Sequence, residues 1–268
     1  MIDKQADNKS DTSSAVIRAV DILDALCESA EPLGISTLAK ILDMPKVTTF
    51  RILNSLVAAG LLFKNADDLY SLSPKFLIYG NRVHASLSLK NISEPILTEL
   101  AVAIEENVNL GIAYKNYVLT LFNIPAASYL LVANLLPLSE LYCSSMGKTI
   151  LSHMDEASAE EYFSHTLEKR TPNTVIDYRS FQLAKEQYLQ CGIMYDDEEF
   201  EYGLSCFAAP IYDANDNLIA AVSVSGPKSR ILSKKEDIES RLLDATHKIS
   251  AILKTADYTV EELKKTLA

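Results

Sequence analysis

The chain has 268 residues, 48% of them hydrophobic, and a formal net charge of −11. That length suits two domains of roughly 100–200 residues each, and no apolar run reaches the ~18 residues needed to span a bilayer. The acidic balance argues against a nonspecific nucleic-acid binder, and Met1-Ile2-Asp3-Lys4-Gln5-Ala6-Asp7 lacks the apolar stretch of a secretory signal, so a cytoplasmic location with no membrane partner is expected.

Residues 1–13 are polar and read as a disordered tail. From Ser14 to Glu28, Val16, Ile17, Val20, Ile22, Leu23 and Leu26 recur at helical spacing, with Ser13 or Ser14 as the N-cap. Pro32 and Gly34 break the chain, and Ser36 caps a short helix with Leu38, Ala39, Ile41 and Leu42 on its apolar side. Asp43-Met44-Pro45 is a turn. A third helix follows from Lys46 to Ala59 and is ended by Gly60. Leu61–Lys64 and Leu69–Leu72, separated by Asn65-Ala66-Asp67-Asp68, predict a strand, a turn and a strand.

Residues 76–106 read as helical with a break around Asn91 to Pro95. Antiparallel strands are expected at 109–115, 117–122 and 129–133, and helices at 147–153, 157–168 and 180–190. Gly192–Tyr195 reads as a short strand. Two apolar strands at 205–212 and 218–225 flank the turn Asp213–Asn217, and a helix at 235–255 closes the pattern. The fold class is therefore α+β, with an antiparallel sheet in the second domain. The domain reading is a tail at 1–13, a winged helix-turn-helix at 14–75, a linker helix at 76–91, a second domain at 92–256 and a tail at 257–268.

Cys27, Cys143, Cys191 and Cys206 form no CxxC pair, and His84, His153, His165 and His247 are scattered, so no metal and no cofactor are expected.

The second helix of a helix-turn-helix enters the major groove and turns its N-terminal residues toward base edges. Here those residues are Lys46, Thr48, Thr49, Arg51 and Asn54. Lys46, Thr49 and Asn54 are expected on the exposed side, with Phe50 and Leu53 turned inward. Ser36, Thr37 and Lys40 are placed to anchor phosphates, and Lys64 sits in the wing. A three-helix unit with a polar surface need not bind DNA. Through Lys75 the chain holds eight Lys/Arg against ten Asp/Glu, so DNA binding requires the cations to gather on one face.

In the second domain, Ser144-Ser145-Met146-Gly147-Lys148-Thr149 approaches the phosphate-loop pattern, but the required first glycine is Tyr142. What survives is a helix start, read either as a simple capped terminus or as a carboxylate site. Ser223 and Ser225 share one side of a strand, facing either a cavity or water. Asp196 ends a short strand at a sheet edge, within an acidic run that is otherwise a solvated surface. Cys206 has no neighbouring base in the sequence, and no catalytic residue is assigned.

Several segments in order resemble the IclR family of bacterial transcriptional regulators over about Ser14 to Leu253. They are Ala15–Leu23, Met44–Leu53, Ser145-Met146-Gly147-Lys148, Gly192–Glu199, Gly203–Pro210 and Ala221–Pro227 with Ser229-Arg230. The resemblance implies a winged helix-turn-helix, a linker helix and a GAF-like effector-binding domain. It implies homodimers or homotetramers on palindromic double-stranded operators, governed by small carboxylates or keto acids such as glyoxylate, pyruvate or aromatic acids. Carried over by motif, the ligand contacts are Ser145, Met146, Asp196, Cys206, Ser223 and Ser225, with Ser128 and Leu131 along the wall. Ser145 and Met146 stand where the family usually has smaller residues. The competing functions are an enzyme acting on a small molecule and an interaction module that never meets DNA.

Overall fold

The computed structural model describes residues 13–86, 88–126 and 138–267. The chain divides between Ala85 and Ser86 into two compact units.

The first unit contains α1 (Ser14–Glu28), β1 (Leu33–Gly34), α2 (Ile35–Ile41), α3 (Lys46–Ala58), β2 (Leu62–Lys64), β3 (Leu69–Leu72) and most of α4 (Lys75–Ser86). Ile22 and Leu26 of α1, Leu38 of α2 and Leu53 and Leu56 of α3 pack together with Leu62 and Tyr70 as one core. Gly60 ends the third helix at φ +71°, a conformation that suits glycine. The wing turn is held by Asn65, whose Oδ1 accepts from the amides of Asp67 and Leu69. Two details differ from expectation. Residues 33–34, read as a break, pair with β3 and make the sheet three-stranded, in the order β1-β3-β2. Ser36 does not cap α2: Gly34 holds the N-cap position with no side-chain cap, and Ser36 lies in the first turn.

The second unit begins with α5 (Ser88–Ile104), followed by β4 (Asn107–Tyr114), β5 (Tyr117–Ile124), β6 (Leu138–Glu140), α6 (Ser145–Ser152), α7 (Glu156–Ser164) and α8 (Tyr178–Cys191). It continues with β7 (Met194–Asp197), β8 (Leu204–Tyr212), β9 (Leu218–Pro227), α9 (Lys228–Ser233), α10 (Lys235–Thr255) and α11 (Val260–Leu267). The six strands form one antiparallel sheet in the order β6-β5-β4-β9-β8-β7. The expected break at 91–95 is absent: Pro95 lies inside α5, whose Leu97, Leu100, Ala101 and Ile104 are buried against the sheet. The stretch read as a C-terminal tail carries α11, docked through the Asp213 carboxylate, which accepts from the Val260 amide at 3.0 Å. The strand expected at 129–133 lies outside the described residues.

Because strand side chains alternate, the sheet has two different faces. Val108, Leu110, Phe207, Ala209, Val222 and Val224 join α5 and α10 in the larger core. On the other face, Ala208, Ala221 and Val118 meet α6 through Met146 and Ile150. No described helix is long and apolar enough to cross a membrane.

Candidate functional site

On α3, Thr49, Leu53 and Leu56 stand at i, i+4 and i+7 and form the buried stripe. Thr49, expected to face DNA, is fully buried, and its Oγ1 donates to the Pro45 carbonyl at 3.2 Å. Phe50, expected inside, is 47% exposed, one step around the helix from that stripe. The outward face carries Lys46, Val47, Phe50, Arg51 and Asn54, while Thr48 is half-buried. Ser36, Thr37 and Lys40 are exposed on α2. Lys64 is exposed in the wing and pairs with Asp68 at 2.5 Å.

In the second unit, strand register brings scattered residues into two polar rows on the α6 face. Asp196 pairs with Cys206, which pairs with Ser225; Ser223 pairs with Asn109, which pairs with Asn123. The Asn109 amide donates to both Ser223 Oγ and Ser225 Oγ at 3.2 Å, and its carbonyl oxygen accepts from Asn123 Nδ2 at 2.5 Å. Both serine hydroxyls are thereby fixed as acceptors of one amide, and each keeps its own proton to donate elsewhere.

The first turn of α6 lies above these rows. Ser144 is the N-cap; its Oγ accepts from the Gly147 amide at 3.1 Å. The amides of Ser145 and Met146 precede the first turn's hydrogen bonds, so α6 presents donors and the positive end of its dipole here. Gly147 allows the approach, because a Cβ there would strike the backbone of Leu141. Gly111 plays the same part in the sheet: a Cβ would lie 2.6 Å from Val118 and 3.2 Å from the Met146 sulfur.

Between helix and sheet lies a cavity of about 40 Å³ lined by Asn109, Ser144, Ser145, Met146, Asp196, Phe200, Leu204, Cys206, Ser223 and Ser225, together with Ser139. Six of the expected ligand residues, Ser145, Met146, Asp196, Cys206, Ser223 and Ser225, are therefore brought together around one space. Ser128 and Leu131 lie outside the described residues. Asn109 was not anticipated, although Asn107 and Asn109 alternate with apolar residues in β4, the signature of a polar strand face.

A buried charge cluster backs the cavity. The Lys148 ammonium donates to Glu199 Oε1 and, at 2.7 Å, to the Tyr195 carbonyl. Asp196 Oδ1 accepts from the Glu199 amide at 2.8 Å, whereas among the described residues Asp196 Oδ2 and Glu199 Oε2 have no hydrogen-bond partner. Burial, then the nearby Glu199 charge, push the Asp196 carboxyl up to about 7. Burial likewise pushes the Cys206 thiol well above its ordinary range, which makes it a poor nucleophile. Among the described residues no cluster of His, Cys, Asp and Glu could hold a metal ion.

The family model for the IclR helix-turn-helix domain matches residues 15–65, and that for the C-terminal domain of bacterial IclR transcriptional regulators matches residues 81–251. The Pca regulon regulatory protein of Pseudomonas putida is 28% identical over 236 residues, covering 87% of this chain and 80% of that protein. The HTH-type transcriptional repressor AllR of Escherichia coli is 28% identical, with 90% of each chain covered. The crystal structure of Thermotoga maritima IclR superposes with a TM-score of 0.67 at 25% identity, covering 89% of this chain and 98% of that one. With both of its domains matched in order, the chain belongs to the IclR family of DNA-binding transcriptional regulators.

Proposed function

We propose that this regulator is a cytoplasmic repressor whose α3 reads a palindromic operator and whose second unit binds a small carboxylate or keto acid. Lys46, Arg51 and Asn54 are the base-reading candidates, since they stand on the exposed face of α3. Ser36, Thr37 and Lys64 serve the phosphate backbone, and Thr48 a more restricted contact from its half-buried position. A palindromic operator calls for a homodimer, or a tetramer built from dimers. The sign of regulation follows the repressor among the relatives.

One observation carries the sensing half: donors from two directions meet at one buried space. The start of α6 suits a carboxylate, and the hydroxyls of Ser223 and Ser225 suit a carbonyl or second oxygen. Ligand binding shifts operator affinity only to the extent that it favours one arrangement of the protein over the other. The chain acts by binding rather than by catalysis, in keeping with relatives that are regulators.

The test is an electrophoretic mobility shift on DNA upstream of the protein's own gene, with a thermal-shift screen of small mono- and dicarboxylates and keto acids. A retarded complex that weakens with salt and changes with an acid that also raises the melting temperature supports the proposal. A chain that binds no such DNA, or whose cavity variants Ser223→Ala and Asp196→Asn keep the same ligand response, overturns it.

A further inference from the structure

We propose that the Phe200 ring is the gate of the α6 cavity and that Arg170 is its latch, so that these two residues set how readily the cavity opens to an effector. The proposal rests on the cavity being the effector site.

The argument starts from size. At about 40 Å³ the cavity is far below the ~300 Å³ or more of usual ligand pockets. A ligand therefore requires one wall to move. The floor is the middle of the hydrogen-bonded sheet, where Ser223, Ser225 and Asn109 are tied to one another. The roof is α6, seated on Leu141 through Gly147, with all eight of its residues buried. Neither yields without breaking packed structure.

Phe200 is different. It belongs to the connection between β7 and β8, it is half-buried, and its ring also lines a surface groove of about 470 Å³ with Glu168, Arg170, Thr171, Glu201 and Tyr202. Among the described residues it is the one side chain shared by that groove and the cavity, so its ring separates the two.

The base of this connection is fastened. Thr171 Oγ1 donates to the Glu198 carbonyl at 2.6 Å, Thr174 Oγ1 to the Glu199 carbonyl at 2.7 Å, and Asn173 Nδ2 to the Asp197 carbonyl at 2.9 Å. On the far side, Gly203 takes φ +76°, and its amide donates to Glu198 Oε1 at 2.9 Å. Between these ties the Glu201 carbonyl accepts from the Leu204 amide at 3.2 Å, and Tyr202 is 67% exposed. The ring itself is held from outside: the Arg170 guanidinium lies over it at 4.1 Å from the ring centre. Arg170 is aimed there by Glu140, whose Oε2 accepts from Nη1 at 3.1 Å. A cation over an aromatic face is a modest, reversible attraction, suited to a closure that must open. A ligand that swings the ring outward therefore works against the Arg170 stack and leaves the fastened base in place.

Cys206 reports on the gate without any effector, because its thiol lines the cavity while Cys143, fully buried, does not. The full chain is treated with methyl methanethiosulfonate, and labelling of each cysteine is followed over time by peptide mass spectrometry. In Arg170→Ala and Phe200→Ala, Cys206 is expected to label about tenfold faster than in the parent, as a weakened closed state opens more often, with Cys143 unchanged. Arg170→Lys, which keeps the charge without the planar stack, should fall between. Cys206 labelling at the parent rate in both alanine variants overturns the proposal. So does acceleration of Cys206 and Cys143 together, which would mark general loosening. Because no ligand is present, this outcome is independent of the thermal-shift screen that judges the effector site itself.

Discussion

Glu106 and Arg230, 124 residues apart, meet through two parallel hydrogen bonds: Arg230 Nε donates to Oε1 at 2.8 Å and Nη2 to Oε2 at 2.7 Å. Glu106 is fully buried and Arg230 partly so. Gly226 makes room for the pair, since a Cβ at that position would run into the Glu106 carboxylate. Removing Arg230 leaves the buried Glu106 carboxylate with the more distant Lys234, 3.9 Å away, at a cost of about 3–5 kcal/mol. Arg230→Ala is accordingly expected to lower the urea midpoint of the second unit sharply, and Gly226→Ala to do the same by steric conflict. Equilibrium unfolding by circular dichroism checks both; an unshifted midpoint would show that the pair contributes nothing.

Arg51 and Thr49 are two positions apart on α3 and should fail in opposite ways. Arg51→Ala is expected to weaken operator binding by about 1–3 kcal/mol and to relax base preference at one operator position, with thermal stability unchanged. Thr49→Ala removes a buried hydroxyl and should lower stability by about 1 kcal/mol, with DNA affinity of the folded protein close to the parent. Fluorescence anisotropy across single-base operator variants, paired with thermal melts, separates the two.

Asp196 gives the cavity a pH dependence whose sign can be worked out. Its carboxyl is raised from 3.8 to about 7, so between those values the folded protein holds a proton that the unfolded chain has released. Stability therefore falls as pH rises through this window, and Asp196→Asn should flatten that slope. A neutral Asp196 also repels an anion less, so binding of a carboxylate effector should weaken as pH climbs through about 7. Calorimetric titration from pH 5.5 to 8.5 on the parent and on Asp196→Asn is the measurement; equal pH profiles would remove Asp196 from the site.

Met146 fills the space between α6 and Gly111. Met146→Ala should enlarge the cavity and admit bulkier acids, at a stability cost of about 2–5 kcal/mol. A thermal-shift panel graded by ligand size checks this, and the variant should gain responses to larger members. An unchanged ligand range would mean that Met146 does not set the size limit.

Periodicity and punctuation made the first unit largely legible. Gly60 and the Asn65–Asp68 turn marked the ends of α3, β2 and β3. Side-chain character alone places Thr49 outside and Phe50 inside, but residue 49 shares its face with Leu53 and Leu56 whatever its side chain. Pro95 was read as a break, yet burial of Leu97, Leu100 and Ile104 keeps α5 continuous through it. In the second unit, Ser223 and Ser225 were readable because one strand sets their common side. Asn109 and Phe200 reach the cavity only through pairings and loops that join distant parts of the chain, and Glu106 reveals its role only when Arg230 is brought beside it. Local pattern carries no such information.

Since α6 has no solvent-facing side on which to slip, its first turn keeps a fixed height above the sheet. At its other end is His153, whose ring nitrogens meet the Thr149 carbonyl at 2.8 Å and the Tyr212 hydroxyl at 3.0 Å, with the Tyr188 hydroxyl at 3.5 Å. The far end of the helix is thereby anchored to the C-terminal ends of β8 and α8, so a tight occupant must be accommodated at the sheet-edge wall rather than by the helix.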